Sequence, residues 1–355
     1  MNAAMMKIAS RDVGAGAPPF CIAEMSGNHN QSLERALAIV DAAANAGAHA
    51  LKLQTYTADT MTIAADTGSF RIDDPKSLWT GRSLYDLYKE AHTPWEWHAP
   101  IMERCRKLGA ICFSTPFDES AVDFLEGLEV PCYKVASFEN TDLPLIRKIA
   151  ATGKPMLIST GMATAAELDE TVRTARAAGC KDIVLLKCTS TYPATPENTN
   201  ILTIPHMREL FSCQIGLSDH TMGTGVAVAA VALGATVIEK HFTLARADGG
   251  VDSAFSMEPA EFAALVTETQ RAWQALGQVS YGPVGAEKNS LKFRRSLYAV
   301  ADIKRGEKFD ARNVRAIRPG DGLPPKFIDL FLGRRAARDI ARGTPLGWDM
   351  LGNNQ

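Results

Sequence analysis

Eight short apolar runs, each followed by a longer helical pattern, constrain this chain more than any other feature. They are Phe20–Met25, Ala50–Gln54, Ala110–Ser114, Cys132–Ser137, Pro155–Thr160, Ile183–Cys188, Gln214–Ser218 and Thr236–His241. A strand that reaches the next strand through a helix pairs with it in parallel, so all eight C-terminal ends should share one side. Eight such units over roughly 260 residues have the size and count of a (β/α)₈ TIM barrel. A doubly wound open sheet is the competing arrangement, but no GxGxxG follows the first strand.

Helix signals support the same parse. Thr93-Pro94-Trp95-Glu96 and Thr164-Ala165-Ala166-Glu167 read as capping boxes, and Gly179 follows the second of these helices. The composition changes after Gly277. Residues 1–19 read as a short disordered lead-in, 20–277 as the barrel, 278–293 as a linker and 294–355 as a small β-rich domain. In that last part Asp302-Ile303-Lys304-Arg305-Gly306 recurs as Asp339-Ile340-Ala341-Arg342-Gly343, a sign of pseudo-symmetry.

Composition narrows the function classes. A net charge of −2 gives no footprint for nucleic acid or a membrane surface. No apolar run approaches the roughly 20 residues of a membrane span. The seven cysteines are odd in number and scattered without a CxxC, which reads as reduced thiols in a cytoplasmic protein.

A barrel works at the C-terminal ends of its strands, and here those positions are polar: Glu24; Lys52 and Gln54; Ser114 and Thr115; Lys134 and Ser137; Ser159; Lys187, Thr189, Ser190 and Tyr192; Ser218, Asp219 and His220; Glu239 and His241. One buried lysine or a capping hydroxyl is ordinary in any single strand. Eight polar strand ends are not, because an unpartnered buried lysine is costly. Two lysines among several hydroxyls describe a site for a phosphate and a carboxylate. His220 and His241 end consecutive strands and could share one metal. Two protein nitrogens leave open positions, which favours octahedral Mn²⁺ or Mg²⁺ over three-ligand zinc. Glu239 lies on the face of His241 and could support it.

The runs Ala23–Asn30, Lys52–Thr55, Phe113–Phe117, Tyr133–Ser137, Ser159–Met162, Gly216–Thr221 and Glu239–Phe242 together resemble the sialic acid synthase family. The tail from Arg294 through Gly320 looks like that family's antifreeze-like (SAF) domain, and the resemblance extends from Phe20 to about Leu351. It implies an enzyme that condenses phosphoenolpyruvate with an N-acetylated amino sugar, releasing phosphate and forming a nine-carbon 2-keto acid. By motif, Lys52, Thr115, Lys134, Ser137, Ser159 and Ser218 would hold phosphoenolpyruvate. His220 and His241 would hold the metal, and Glu24, Gln54, Tyr192 and Asp252 would face the sugar. Glu139 could align the attacking water. The family also implies a homodimer with exchanged caps, in which Arg318 reaches the partner's sugar site.

Within the family, Met25-Ser26, Lys187 in place of a histidine and Ser190-Thr191 in place of an asparagine region resemble the pseudaminic acid branch. So do Gly27–Asn30 and Thr93–His98. The expected sugar is then 2,4-diacetamido-2,4,6-trideoxy-L-altrose, with Ser190 substituting for the missing asparagine. N-acetylneuraminate or legionaminate synthesis is the sibling reading. A non-catalytic sugar- or ice-binding protein is a third, resting on the C-terminal domain alone.

Overall fold

The computed structural model describes residues 4–75 and 77–352. Among these residues twelve strands form three sheets. β1 (Met6–Ile8) and β2 (Arg11–Val13) are an antiparallel hairpin. β3 (Phe20–Glu24), β4 (Ala50–Thr55), β5 (Ile111–Pro116), β6 (Tyr133–Val135), β7 (Met156–Ser159), β8 (Ile183–Cys188), β9 (Gln214–Asp219) and β10 (Val237–His241) pair in parallel and close, β10 on β3. β11 (Ser296–Ala299) and β12 (Val314–Ile317) are antiparallel. The eight barrel strands lie within a residue or two of the runs read from the sequence.

Each barrel strand leads into helix. α1 (Leu33–Asn45) follows β3. α2 (Ala58–Met61), α3 (Leu84–Ala91) and α4 (Trp95–Lys107) follow β4. Then come α5 (Glu119–Gly127), α6 (Leu143–Ala151), α7 (Ala165–Ala177), α8 (Thr203–Phe211), α9 (Gly225–Ala232) and α10 (Pro259–Leu276). The Thr164–Glu167 capping box forms as expected, with side chain and backbone bonded reciprocally. The Thr93–Glu96 box does not. Pro94 is the residue before α4, and no side chain caps that helix. The Thr93 hydroxyl lies instead 3.3 Å from Nε2 of buried His29, a tertiary partner replacing the local one.

Side chains alternate across each strand, and the alternation separates two cores. Cys21, Ala23, Leu51, Leu53, Ile158, Leu185, Leu217 and Ile238 face the helices. Phe20, Ile22, Ala50, Phe113, Leu157, Val184, Leu186 and Val237 fill the lower lumen, joined by Met6, Ile8 and Val13 of the hairpin. The N-terminal segment is therefore a plug rather than a disordered lead-in. Its apolar residues at alternate positions close the barrel floor, and the Gln214 amide donates to the Ala4 carbonyl at 2.7 Å. Among the described residues no helix is long and apolar enough to cross a membrane.

The contacts divide the chain after Gly277. In the second unit Leu297, Ile303, Phe309, Val314, Phe331, Ile340 and Leu346 build a separate core. Its internal repeat has a structural counterpart. Ile303 and Ile340 exchange backbone bonds at 2.8 Å each. Asp302 accepts from the Arg342 amide at 2.7 Å, and Asp339 accepts from the Arg305 amide at 2.8 Å. The two copies thus cap each other's turns. α11 (Ile328–Phe331) packs into the same unit through Phe331.

Candidate active site

Above the apolar floor the lumen turns polar within one layer. Glu24, Lys52, Lys134 and Glu239 are each at most 5 % exposed. Register explains the meeting: Glu24 stands opposite Lys52 on β3 and β4, and His241 opposite Glu24 on β10 and β3. Lys52 Nζ lies 2.5 Å from Glu24 Oε2 and 3.5 Å from Glu239 Oε1, and donates to Thr115 Oγ1 at 3.2 Å. Lys134 Nζ lies 3.8 Å from the same Glu239 oxygen and donates to Ser159 Oγ at 2.7 Å. The Ser218 hydroxyl donates to Glu239 Oε1 at 3.2 Å. Glu239 thus bridges both lysines, a more central place than the support for His241 read from the sequence.

The charges shape one another. Burial would raise the Glu239 carboxyl, but the ammonium groups of Lys134 and Lys52 outweigh it and hold it below the usual range. Burial pushes Glu24 up to about 7, against the pull of Lys52. Burial also lowers Lys134, while Lys52 is raised because Glu239 and Glu24 overcome its desolvation. Two lysines here lean on shared carboxylates, and Glu239 Oε2 has no hydrogen-bond partner. An unpartnered carboxylate oxygen is an acceptor left open for a donor or a cation, so this buried layer is electrostatically incomplete in the free chain.

One wall is a cradle of hydroxyls. The Gly161 amide donates to Ser137 Oγ at 3.1 Å, and a Cβ on Gly161 would overlap the hydroxyls of Ser137 and Ser190. Only glycine leaves that space open. Cys188 takes the lumen position on β8 that the sequence reading left unassigned. Lys187 points away from the lumen, and its ammonium is spent on the Cys188 carbonyl at 2.9 Å and Thr189 Oγ1 at 3.3 Å.

The two histidines meet beside this cradle, ring centroids 5.4 Å apart, with Tyr192 at 4.5 Å from His220. His220 Nδ1 is fixed by the Thr189 carbonyl at 2.9 Å, and its ring also hydrogen-bonds the Cys188 side chain. His241 Nδ1 is buried without a hydrogen-bond partner, and burial lowers its pKa well below normal, so the ring is a neutral donor. Among the described residues no group of three or more His, Cys, Asp or Glu is arranged to hold a metal. The chain itself offers an orphaned neutral imidazole beside an oriented one, which fits a cation completed by water or substrate.

Beside the histidines a cavity of about 340 Å³ is lined by Gln54, Glu139, Tyr192, His241 and Asp252. Its far side comes from the long excursion between β4 and α4, through Met61, Ile72, Trp79, Leu84, Leu87 and Tyr88. The Trp79 indole donates to the Val251 carbonyl at 2.9 Å, tying that excursion to the segment carrying Asp252. Gln54 donates to Glu24 Oε1 at 3.2 Å, and the Ser26 hydroxyl bonds the Asp252 carboxylate. Glu139 Oε2 is buried and unpartnered, and burial pushes its pKa up to about 7 despite Lys134.

Fourteen of the expected residues therefore line one mouth or touch a residue that does. Arg318 lies in the second unit, exposed, after β12 and before cis Pro319. Of the residues that carried the branch resemblance, Ser26 and Ser190 reach the mouth, while Asn28 and His29 sit behind it. His29 packs edge-on against Trp97 at 5.5 Å, and the Asn28 amide donates to the Phe242 carbonyl and Ser256 Oγ at 2.9 Å each. Sequence reasoning did not single out Trp79 or the apolar excursion. Only the amphipathic pattern of Leu84, Leu87, Tyr88 and Ala91 could have marked it.

Comparison with known proteins matches this chain to the NeuB family over residues 39–281 and to the SAF domain over residues 294–352. The pseudaminic acid synthase of Campylobacter jejuni is 45% identical over 330 residues, 92% of this chain and 95% of that protein. The N,N'-diacetyllegionaminic acid synthase of the same species is 34% identical, over 90% of this chain and 96% of that one. The crystal structure of N-acetylneuraminic acid synthetase from Leptospira borgpetersenii, with citrate bound, superposes with a TM-score of 0.72 at 30% identity, covering 82% of this chain and 97% of that one. The chain belongs to the NeuB family, as its motifs led us to expect, and carries a C-terminal SAF domain.

Proposed function

We propose that this chain is a pseudaminic acid synthase: it condenses phosphoenolpyruvate with 2,4-diacetamido-2,4,6-trideoxy-L-altrose and water to give pseudaminic acid and phosphate. The observation that carries the reading is the 45% identity to a pseudaminic acid synthase along nearly the whole chain, 11 points above the legionaminic enzyme of the same species (45 − 34). The apolar far side of the cavity supports it, because a 6-deoxy sugar with two acetamido methyls presents more apolar surface than a hydroxylated one.

The residues divide the work. Lys52 and Lys134 neutralise the phosphate and carboxylate of phosphoenolpyruvate, and Thr115, Ser137, Ser159, Ser190 and Ser218 direct hydrogen bonds to them. Arrival of that anion relieves the two lysines from sharing Glu239. Gln54, Glu24, Tyr192 and Asp252 orient the open-chain sugar with its C1 aldehyde toward the histidines. C3 of phosphoenolpyruvate attacks C1, and the C1 oxygen takes a proton. Water then adds to the cationic C2, and Glu139 accepts the proton released. The C2–O bond to phosphate breaks as the remaining C2 hydroxyl passes its proton to the departing phosphate, leaving the 2-keto acid; the proton that Glu139 takes from water balances the one gained by the C1 oxygen. His220 and His241 would hold Mn²⁺ or Mg²⁺, which supplies Lewis-acid polarisation of the aldehyde oxygen when bound. We assign the reaction to the cytoplasm, in keeping with seven free cysteines.

We also propose that the enzyme is a two-fold dimer with exchanged SAF units, Arg318 of each reaching the partner's sugar. The small core of that unit supports the reading, since a domain with so few buried residues gains from docking. Mixing inactive Arg318→Ala and Lys134→Ala chains should restore part of the activity in mixed dimers. No recovery, with mixed dimers present by mass, would exclude exchange.

The sugar assignment is tested by phosphate release with the diacetamido-altrose, its legionaminate counterpart and N-acetylmannosamine, each before and after exhaustive chelation. The diacetamido-altrose should give the highest kcat/KM, and chelation should abolish turnover. Equal or better use of N-acetylmannosamine would transfer the chain to the neuraminate branch.

A further inference from the structure

One buried lysine takes no part in the mouth. Lys240 lies between Glu239 and His241 on β10, so strand alternation turns it away from the lumen. It is 1 % exposed. Its ammonium donates to Asp219 Oδ2 at 2.9 Å, to the Thr221 carbonyl at 2.5 Å and to the Gly223 carbonyl at 3.1 Å. Those three bonds use all three of its N–H donors. Asp219 completes the clamp: its other oxygen accepts from the Thr221 amide at 2.9 Å and the Thr221 hydroxyl at 2.8 Å. Asp219 and Thr221 are as buried as Lys240.

The clamped segment is the turn that presents His220. Asp219 precedes it, Thr221 follows it, and its own carbonyl accepts from the Ala194 amide at 3.1 Å. Lys240 and Asp219 are also direct register partners on adjacent strands. The side chain between Glu239 and His241 on one strand thus holds the backbone on both sides of His220 on the next. A lysine suits this better than an apolar residue, because Asp219 Oδ2 and the Thr221 carbonyl would otherwise lose this donor in the interior.

We infer that Lys240 and Asp219 are positioning residues for the metal pair, locking the spacing of His220 against His241 from behind the strand wall. The inference rests on the reading of those histidines as metal ligands. Outer partners of this kind typically govern about 10- to 100-fold in metal affinity.

The test uses the full chain and Mn²⁺ alone, titrated by calorimetry. Lys240→Met by itself strands Asp219 without its counter-charge and endangers folding. Two further variants avoid this. Lys240→Met/Asp219→Asn removes both charges and keeps an acceptor for Thr221. Lys240→Arg keeps the charge but cannot place its planar fork on the same three acceptors. Circular dichroism and the thermal transition report the fold. Both variants should bind Mn²⁺ roughly 10- to 100-fold more weakly. Phosphoenolpyruvate affinity should stay within about twofold, and millimolar Mn²⁺ should recover much of kcat. Folded variants whose Mn²⁺ affinity stays within twofold of wild type would reduce Lys240 to a structural ion pair. Wild type that binds no Mn²⁺ and turns over fully after chelation would instead overturn the metal reading, and the inference with it.

Discussion

The two ends of the barrel lumen are equally buried and opposite in chemistry. The floor packs Phe20, Ile22, Phe113, Leu157, Val184 and Val237 against Ile8 and Val13 of the plug. The mouth buries Glu24, Lys52, Lys134 and Glu239 only a strand layer away. Burial stabilises the first group and costs the second, because desolvating a charge exceeds what imperfect pairing returns. The floor is complete in the free protein. The mouth would be completed by the anion and cation proposed to enter it. Stability and function therefore reside at different ends of the same eight strands, and substitutions should separate them.

The largest separation is expected from Lys134→Ala. Phosphoenolpyruvate binding should weaken by roughly 2–5 kcal/mol, as when a buried charge pair is broken. Calorimetry on the folded variant measures this, and unchanged affinity would remove Lys134 from the anion site.

A smaller effect concerns pH. Burial holds Glu139 at about 7 from an ordinary value of 4.5. Its folded form therefore prefers the proton. The stability this brings is full below 4.5 and is lost as pH rises through about 7. Glu139→Gln should remove that loss and make the protein more stable than wild type at pH 8 by roughly 1–3 kcal/mol. Glu24, raised to the same value, keeps part of the slope. Denaturant melts from pH 5 to 8 decide it: parallel curves for variant and wild type would mean that burial does not govern this carboxyl.

The smallest effect belongs to the floor. Ile8→Val should cost about 0.5–1.5 kcal/mol through one lost methyl group. Activity per folded molecule should stay within about twofold. A large loss of kcat with little change in melting temperature would show that the two ends are coupled and break the comparison.

The sequence made the barrel legible because period-two alternation and strand count survive without tertiary information. Lys52, Lys134, His220 and His241 were found by their place at strand ends, where register alone brings them together. Other features had no local signature. Glu239 became the bridge between two lysines only through register across three strands. The Met6–Val13 plug was missed because two three-residue strands carry too short a pattern, and their partners lie across the barrel floor. Thr93 looked like a helix cap, but His29, 64 residues away, claims its hydroxyl. Trp79 reaches the mouth through a contact with Val251, 172 positions along the chain. Long loops are placed by such distant partners, which no window of sequence contains.

β10 also has a consequence for how such a mouth can diversify. Glu239, Lys240 and His241 alternate lumen, wall, lumen, so three neighbouring codons specify two separate compartments. Substitutions can tune either compartment alone. A single-codon deletion within the strand would swap them, sending His241 into the helix layer and Lys240 into the lumen. Length changes should therefore be confined to excursions such as the one between β4 and α4. That excursion forms the far wall of the cavity, so a lineage could reshape the pocket there while leaving the spacing of the eight strands untouched.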